Sequence, residues 1–527
     1  MSNTANRFRA TSHDLQVADT ANKPAKSAKR GRVKRAPKPG RHGWNVRGGG
    51  YVPFVEPAPE WRGASNQVCG FWPFSAGSAL PPVGTPLGHH LTTGMTVCAD
   101  PISWFVAGMI NTPSAFVLGR PGLGKSTLIR RIITGLAERG VWAMVLGDLK
   151  PDYVELLLAL GGQVIRISRS VGTINPMDLY GAHGQIQDLP PEIRKAAMAQ
   201  LIGYQLNTLQ GLIALVRGEF FAGDEVSILS TALNALQTDA TGEPLQREKA
   251  PEIRDLIDLI SERHPVVRAM ALDDGDNAAY DKATRRLRLS LMALLKDGPF
   301  GAVFDGQTTV QMKLDRPAGF DISDLDGADQ TLQAAVQLVC WSYGSATTAL
   351  ATKLADEGLA PRRRYLLVMD ELWRMLKASA QMIDRVDTIT RINRELGLGQ
   401  IMATHTMSDL EMDSEKQTKQ AWGFVERSSL VFLGGLADGE FGNIESVFAT
   451  SAKEKEFITA WASEGGHASA NGGVRPGRGK FLLKMGKTPG IPFEVRLTPA
   501  EFAVNDTNRR WAELAVAKRE QTVEVDA

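Results

Sequence analysis

The segment Gly119-Arg-Pro-Gly-Leu-Gly-Lys-Ser126 carries the strongest fold signal of the chain. It matches the pattern G-x-x-x-x-G-K-[ST], in which glycines let successive backbone N–H groups wrap around phosphate oxygens. An apolar run at 115–118 precedes it, and a stretch with helical apolar spacing at 126–139 follows it. This strand–loop–helix context favours a phosphate-binding loop (P-loop) at the start of a helix over a glycine turn without a ligand, which the motif alone leaves open.

The loop predicts a site for ATP and Mg²⁺. Lys125 is expected to reach the β- and γ-phosphate oxygens, which makes it a catalytic candidate, and the hydroxyl of Ser126 is expected to ligate the metal. The predicted nucleotide-binding residues are Gly119, Pro121, Gly122, Leu123, Gly124, Lys125, Ser126 and Thr127.

A second motif supplies carboxylates. Residues 365–369 form the most strand-like run of the chain, and Asp370 and Glu371 follow it directly. Ligands of open parallel sheets bind at the carboxyl ends of the strands. We therefore predict that Asp370 holds Mg²⁺ through water and that Glu371 polarises the attacking water. The alternative is that the two residues only cap a helix at 372–380.

Hydrophobic periodicity predicts an α/β fold. Strands are expected at 141–146, 163–167, 302–304, 319–322, 401–403 and 430–433. Continuous apolar runs of this kind are typical of a mainly parallel sheet that is buried on both faces. Between residues 189 and 295 the spacing turns helical, which predicts an all-α insertion.

Charge is distributed unevenly along the chain. Residues 1–50 contain 12 Lys and Arg but only two Asp, which gives a net charge of +10, whereas the remainder carries −8. Such a segment cannot bury enough apolar surface to offset its ordering entropy, so a disordered basic tail is predicted. A basic tail of this kind can bind nucleic acid, anionic lipid or an acidic partner. The alternative is that it only keeps the chain soluble.

Composition excludes several classes of protein. With 43% apolar and 22% charged residues, the chain is neither collagen nor a wholly disordered polymer. Its three cysteines are too far apart for a CxxC pair, which favours a reducing, cytoplasmic setting. The first 20 residues lack the apolar core of a signal peptide, and no run of roughly 18 apolar residues occurs. Membrane contact is therefore expected only through partners, at the inner face of the cell membrane.

Four segments together resemble a known group of proteins. They are the P-loop, Asp370-Glu371-Leu372-Trp373, the run Ile401-Met-Ala-Thr-His405, and the segment from Gly161-Gly162 to Ile174-Asn175-Pro176. They are similar to the HerA–FtsK superfamily of ring-forming RecA-like motors, and most like the assembly ATPases of type IV secretion and conjugation machines in actinobacterial form. The resemblance covers roughly residues 84–500 and implies a RecA-like P-loop NTPase with a helical insertion, a homohexamer, and secretion-channel or conjugation proteins as partners.

The sequence departs from that family in three respects. Only about 110 residues precede the P-loop, so the family's usual large N-terminal domain is not expected. His405 stands after Thr404, at a position where relatives have glutamine. Histidine and glutamine can both hydrogen-bond a γ-phosphate or its water. The alternative is that His405 only forms hydrogen bonds within the protein beside the sheet. No arginine matches the family's trans-acting arginine cleanly. Arg394 is the first candidate and Arg391 the second, with Arg427 and Arg478 behind them, one of which could act in cis; each could instead form a surface ion pair.

One further turn resembles the family. Asp148-Leu-Lys150-Pro-Asp152-Tyr153 is similar to its acidic-proline turn beside the nucleotide. We expect it to frame the site or a subunit contact, or merely to cap a helix at Asp152.

These patterns predict the organisation of the chain. Residues 1–50 are the basic tail, and 51–111 form a segment of loops and short strands that packs on the motor. Residues 112–188 and 296–500 form the ATPase domain, 189–295 the insertion and 501–527 a C-terminal helix or tail. The predicted function is a Mg²⁺-dependent ATPase that forms a ring motor for conjugation or type IV secretion. A DNA-pumping translocase, supported by the basic tail, and a nucleotide-gated scaffold with little hydrolysis are the alternatives.

Overall fold

The structure, a computed structural model, describes residues 81–504 except for 179–185, 187–188, 220–222, 248, 326–329, 379–381 and 464–476. The predicted basic tail at 1–50, the first 30 residues of the segment 51–111, and residues 505–527 of the C-terminal region therefore lie outside the described part.

A sheet of eleven strands runs through the described residues. Its order is β2-β1-β11-β10-β9-β3-β8-β7-β4-β6-β5. The seven strands from β9 to β5 in this order are parallel, and the other four extend the sheet antiparallel from β9. The strands are β1 (Pro86–His90), β2 (Thr96–Cys98), β3 (Ser114–Leu118), β4 (Val141–Asp148), β5 (Gln163–Arg166), β6 (Ala318–Asp321), β7 (Arg364–Met369), β8 (Gly399–Thr404), β9 (Leu430–Leu433), β10 (Lys480–Lys484) and β11 (Ile491–Val495).

Helices cover both faces of the sheet, because side chains of successive strand residues point to opposite faces. In β3, Phe116 and Leu118 belong to one apolar core, and Ala115 and Val117 belong to the other. The helices are α1 (Pro101–Val106), α2 (Lys125–Ala137), α3 (Val154–Ala159), α4 (Pro191–Arg217), α5 (Gly223–Gln237), α6 (Ile253–Ser261), α7 (Pro265–Ala271), α8 (Asn277–Met292), α9 (Gln330–Asp356), α10 (Leu372–Ala378), α11 (Met382–Glu395), α12 (Glu415–Glu426), α13 (Phe441–Glu445), α14 (Ala452–Ala462) and α15 (Pro499–Val504).

The two cores take different helices. Helices α1, α2 and α3 contribute to the core on one face, and α4, α9, α10 and α11 contribute to the core on the other. Helix α9 is buried along most of its length because it packs against both the sheet and α4. The result is a three-layer α/β/α arrangement with the parallel strands in the middle.

Helices α4 to α8 lie between β5 and β6 along the chain. Within the described residues of 189–295, the only β pairing is an isolated bridge between Thr238 and Pro244. A buried ion pair joins Arg217 of α4 to Glu225 of α5, with 2.6 Å between Nη2 and Oε1. The predicted α/β fold with a mainly parallel sheet and a helical insertion is thus confirmed, whereas the exact domain limits remain predictions.

One predicted strand is wrong. Residues Gly301–Phe304 form a 3₁₀ turn, and the rings of Phe300 and Phe304 meet edge to face at 5.8 Å. Val303 and Phe304 are buried. The apolar character of 302–304 therefore reflects aromatic packing rather than strand pairing, and short apolar runs do not distinguish the two.

Among the described residues, no helix combines the length and the apolar character that crossing a bilayer requires.

Candidate nucleotide-binding site

The central strands bring the sequence motifs to one edge of the sheet. Strand β3 lies between β9 and β8, and β7 and β4 follow β8. Because these strands are parallel, their carboxyl ends share an edge. The P-loop after Leu118, Thr404 at the end of β8, Asp370 after β7 and Asp148 at the end of β4 therefore lie side by side.

The P-loop takes a backbone conformation that glycine permits. Gly122 and Gly124 have φ angles of 79° and 98°, in the left-handed region that other residues seldom adopt. No side chain caps the start of α2, so its first N–H groups and the positive end of its dipole are available to an anion. A Cβ atom at Gly119 would lie 3.2 Å from the Cα of Gly434, which shows how tightly the loop packs on the segment after β9.

Lys125 lies at the centre of the site and is 8% exposed. Its Nζ donates to the carbonyl oxygen of Gly119 at 2.8 Å and to Nδ1 of His405 at 2.7 Å. Burial lowers the pKa of Lys125, and the nearby charges of Asp370 and Glu371 oppose that shift. The carbonyl and the ring nitrogen fix the position of Nζ beside the P-loop.

Glu371 accepts hydrogen bonds from three side chains. Its Oε1 lies 3.0 Å from Lys150 Nζ, and its Oε2 lies 2.7 Å from Trp373 Nε1 and 3.2 Å from His405 Nε2. Since the Lys125 ammonium only donates, Nδ1 of His405 accepts and Nε2 carries the proton toward Glu371. Burial alone would raise the pKa of Glu371, but His405 and Lys150 hold it far below its usual range.

The backbone of Glu371 is also unusual, with a φ angle of 52°. A glutamate in the left-handed region costs of order 1–3 kcal/mol and is maintained only when its surroundings hold it. Such strain is concentrated at functional sites, which agrees with the predicted role of this residue.

Asp370 is held by hydrogen bonds on both side-chain oxygens. Tyr153 OH donates to Oδ2 at 2.8 Å, and the backbone N–H of Glu371 donates to Oδ1 at 2.8 Å. Gln337 of α9 donates from Nε2 to the carbonyl oxygen of Asp370 at 2.9 Å. Burial raises the pKa of Asp370, and the negative charge of Glu371 adds to the increase.

The turn at 148–153 contacts three of the predicted site residues. Ser126 Oγ donates to Asp152 Oδ2 at 2.8 Å, while Lys150 and Tyr153 hold the two carboxylates after β7. Asp148 anchors the turn by accepting from the backbone N–H groups of Asp152 and Tyr153 at 3.2 and 2.8 Å. Sequence reasoning placed this turn beside the nucleotide without assigning these contacts.

The residues present fit ATP with Mg²⁺. Burial raises the pKa of Asp148, Asp152 and Asp370, and repulsion by neighbouring carboxylates contributes at each. A divalent cation would reduce this repulsion between the carboxylates. No group of three or more His, Cys, Asp or Glu that could hold a metal unaided occurs in the described part of the chain. Mg²⁺ is commonly bound by one or two carboxylates together with substrate phosphates, and this site offers that donor set.

Thr404 is 1% exposed, and its Oγ1 has no hydrogen-bond partner within the described residues. An unpaired buried hydroxyl at the end of β8, beside the P-loop strand, suits a ligand oxygen.

The candidate arginines lie away from this edge. Arg391 and Arg394 line a small cavity together with Ser114 and Gln400, which stand at the amino ends of β3 and β8. Arg391 Nε pairs with Asp387 Oδ2 at 2.7 Å, and Arg427 Nη2 pairs with the other oxygen of Asp387 at 2.6 Å. Arg391 and Arg394 therefore do not reach the P-loop of their own chain.

Arg478 is placed differently. It is exposed, and the next residue, Gly479, donates its N–H to the carbonyl oxygen of Leu123 in the P-loop at 2.9 Å. Of the four arginines, it is the one whose segment touches the nucleotide loop of the same chain.

Sequence reasoning missed two site residues, Trp373 and Gln337, as individual contributors. Gln337 carries a usable signal, since a fully buried glutamine in a helix as apolar as α9 needs a polar partner. The contact of Trp373 with Glu371 has no comparable signal, because tryptophan is also a common core residue.

Comparisons with known proteins find similarity among solved structures. No protein-family model and no curated protein matches the sequence. Among solved structures, the chain is similar to VirB4 of Thermoanaerobacter pseudethanolicus, with a TM-score of 0.58, 18% sequence identity, and coverage of 81% of this chain and 100% of that chain. Plasmid coupling protein TrwB in complex with the ATP analogue ADPNP gives a TM-score of 0.44 at 15% identity, covering 84% and 96% of the two chains. The cytoplasmic domain of the Thermomonospora curvata type VII secretion ATPase EccC gives 0.28 at 16% identity, covering 78% and 28%. The likeness to VirB4 extends over the whole of that chain and shows a shared RecA-like fold.

Proposed function

We propose that this chain is a Mg²⁺-dependent ATPase that works as a ring motor for a conjugation or type IV secretion machine. One observation carries the enzymatic part: Lys125 of the P-loop and Glu371 after β7 both hydrogen-bond to His405. Two motifs that are 246 positions apart thus face a single site. A phosphate cradle and a water-orienting carboxylate in one place are the parts that phosphoryl transfer to water requires.

Each residue has a role in this proposal. Residues 119–127 and Lys125 hold the phosphates, and Ser126 and Asp370 hold Mg²⁺, which neutralises phosphate charge when it is bound. Glu371 is ionised and tightly hydrogen-bonded, so it orients a water by accepting its hydrogen bond rather than acting as a strong base. Thr404 and His405 lie next to that position and are suited to contact the γ-phosphate or the water.

The transport role rests on two supports. The sequence motifs resemble assembly ATPases of secretion and conjugation machines, and the fold is similar to VirB4. Under this proposal the partners are further copies of the chain, in a homohexamer, and proteins of the secretion channel. The chain then works in the cytoplasm and reaches the inner face of the membrane through those partners.

The first test separates binding from turnover. We expect Lys125→Ala to weaken ATP binding and to abolish hydrolysis, because the charge that faces the phosphates is lost. Glu371→Gln should keep ATP affinity and lose turnover by about 100-fold or more, the usual scale for a proton-handling or water-orienting group. Binding of a fluorescent ATP analogue and phosphate release measure the two effects, and Glu155→Gln, an exposed carboxylate on α3, is the matched charge control.

Full turnover in either site variant would remove the proposed mechanism. ATP binding without turnover in the wild-type ring would instead favour the nucleotide-gated scaffold. Hydrolysis that DNA stimulates, with an affinity for DNA that falls steeply as salt rises, would favour the DNA translocase.

A further inference from the structure

We propose that Asp152 is a positioning residue that directs the lone pairs of Ser126 Oγ toward Mg²⁺. This inference rests on the proposed function. The observation behind it is the hydrogen bond from Ser126 Oγ to Asp152 Oδ2 at 2.8 Å. Asp370 is the carboxylate that the sequence motif assigns to the metal. It accepts a hydrogen bond from the Tyr153 hydroxyl rather than from Ser126.

The direction of the Ser126 hydroxyl matters because it has one proton and two lone pairs. A metal is bound by a lone pair, so the proton must be donated elsewhere. A carboxylate that accepts this proton fixes the rotor and increases the electron density on the oxygen. Asp152 is the group that does so in this structure.

Asp152 is itself held in place by its own turn. Its backbone N–H donates to Asp148 Oδ1 at 3.2 Å, and it follows Pro151, whose ring restricts the backbone. The turn therefore holds the Asp152 carboxylate beside Ser126.

Tyr153, the residue after Asp152, contacts the second predicted metal-binding group. Tyr153 orients Asp370 through Oδ2, so one turn from β4 sets the position of both predicted metal-binding groups, Ser126 and Asp370. Altering Asp152 therefore affects the metal-dependent part of nucleotide binding and leaves the phosphate contacts of the P-loop intact.

The test measures affinity for a fluorescent ATP analogue with saturating Mg²⁺ and with EDTA, on the full chain. We expect Asp152→Ala to reduce the gain in affinity from Mg²⁺ by about 10- to 100-fold, the range seen when groups that orient metal ligands are removed. Affinity in EDTA should match the wild type. Asp152→Asn keeps a neutral acceptor for Ser126, so its gain in affinity from Mg²⁺ should lie between that of the wild type and that of Asp152→Ala.

Glu155→Gln is the control, because it removes the same charge three residues away without the contact to Ser126. It should keep the full gain from Mg²⁺, and thermal melting confirms that each variant is folded. The inference is overturned if Asp152→Asn and Asp152→Ala keep the wild-type gain, or if Glu155→Gln loses as much. If alanine prevents folding, the asparagine variant alone decides. Should the wild type not bind the nucleotide at all, the proposed function fails first, and the inference fails with it.

Discussion

His405 is the residue that joins the two halves of the candidate site. Its Nδ1 accepts from Lys125, and its Nε2 faces Glu371, so one ring sets the spacing between the phosphate-binding lysine and the water-orienting carboxylate. Its ring also lies 6.3 Å from that of Trp373, which itself donates to Glu371. A residue that could have been a satisfied histidine beside the sheet is therefore in the middle of the proposed chemistry.

We expect His405→Ala to lower kcat by roughly 10- to 100-fold, because a hydrogen bond to a charged group is worth about 1.5–3 kcal/mol. His405→Gln should remain within a few-fold of wild type, since an amide both accepts and donates and can replace the two contacts. ATP affinity should change little in either variant, because the P-loop stays intact.

Steady-state hydrolysis and analogue binding on the same preparations check this prediction. Equal activity of the alanine variant and the wild type would show that His405 is only packed beside the sheet. Equal loss in both variants would show that the ring itself, rather than its hydrogen bonds, is needed.

The P-loop, Asp370 and Glu371 could be recognised in the sequence because each motif is local. The contacts that complete the site are not local. Tyr153 and Asp370 are 217 positions apart, and Lys150 and Glu371 are 221 positions apart. Nothing in either segment indicates which side chain of the other it meets, since that depends on β4 and β7 being neighbours in the sheet.

Elements differ in how well the sequence predicts them. Strands β3, β7 and β8 are buried on both faces and therefore read as continuous apolar runs. Strand β10 was missed, because it begins and ends with lysine and its interior reads as a short apolar run like many others. What stabilises it lies elsewhere in the chain: Lys484 at its end pairs with Glu454 of α14.

This ion pair fixes α14 against the β10–β11 hairpin. Lys484 Nζ lies 2.9 Å from Glu454 Oε1, and the two side chains are 3% and 9% exposed. Glu454 also accepts from the backbone N–H groups of Ser451 and Gly490 at 2.7 and 2.6 Å. Burial would raise the pKa of Glu454, but these donors and Lys484 together lower it below its ordinary value of 4.5.

We expect Lys484→Met to reduce the free energy of unfolding by about 3–5 kcal/mol, because it leaves a buried carboxylate without its cation. The double variant Lys484→Met/Glu454→Leu should lose less, since both charges are removed. Urea titration at pH 7 measures both. A single variant as stable as the wild type would show that the backbone donors alone are sufficient for Glu454.

The pH dependence of the same pair follows from the lowered pKa of Glu454. A carboxyl group whose folded pKa is depressed stabilises the protein above its unfolded pKa, and this contribution disappears as the pH falls through the folded pKa. The stability of the wild type should therefore approach that of Glu454→Gln as the pH is lowered below about 4.5. A constant difference between the two at all pH values would contradict this assignment.

At the scale of the whole molecule, the position of Arg394 decides whether it can act on nucleotide bound by its own chain. Arg394 and Arg391 lie at the amino ends of β3 and β8, on the edge of the sheet opposite the P-loop. At about 3.3 Å per residue, the five residues of β3 alone separate the two edges by more than 10 Å. A role for Arg394 in catalysis therefore requires a second copy of the chain.

We expect complementation between two inactive variants. Arg394→Ala keeps Glu371 but cannot serve a neighbour, and Glu371→Gln keeps Arg394 but cannot hydrolyse ATP itself. Mixed in equal amounts before assembly, they should regain about a quarter of wild-type activity, because random placement in a closed ring pairs an intact site with an intact arginine that often. Phosphate release and particle size, measured together over a range of protein concentrations, check that activity follows assembly.

The controls show whether a contact between neighbouring subunits restores the activity. Mixing Glu371→Gln with the double variant Glu371→Gln/Arg394→Ala should restore nothing, since no intact site is present. Arg391→Ala in place of Arg394→Ala tests the second candidate. Because Arg391 is already paired with Asp387, the Arg391→Ala variant should keep most of the wild-type activity without mixing. If the mixture of Arg394→Ala and Glu371→Gln stays as inactive as its parents while the rings form, no neighbour supplies Arg394. Arg478, whose segment contacts the P-loop, is then the next residue to alter.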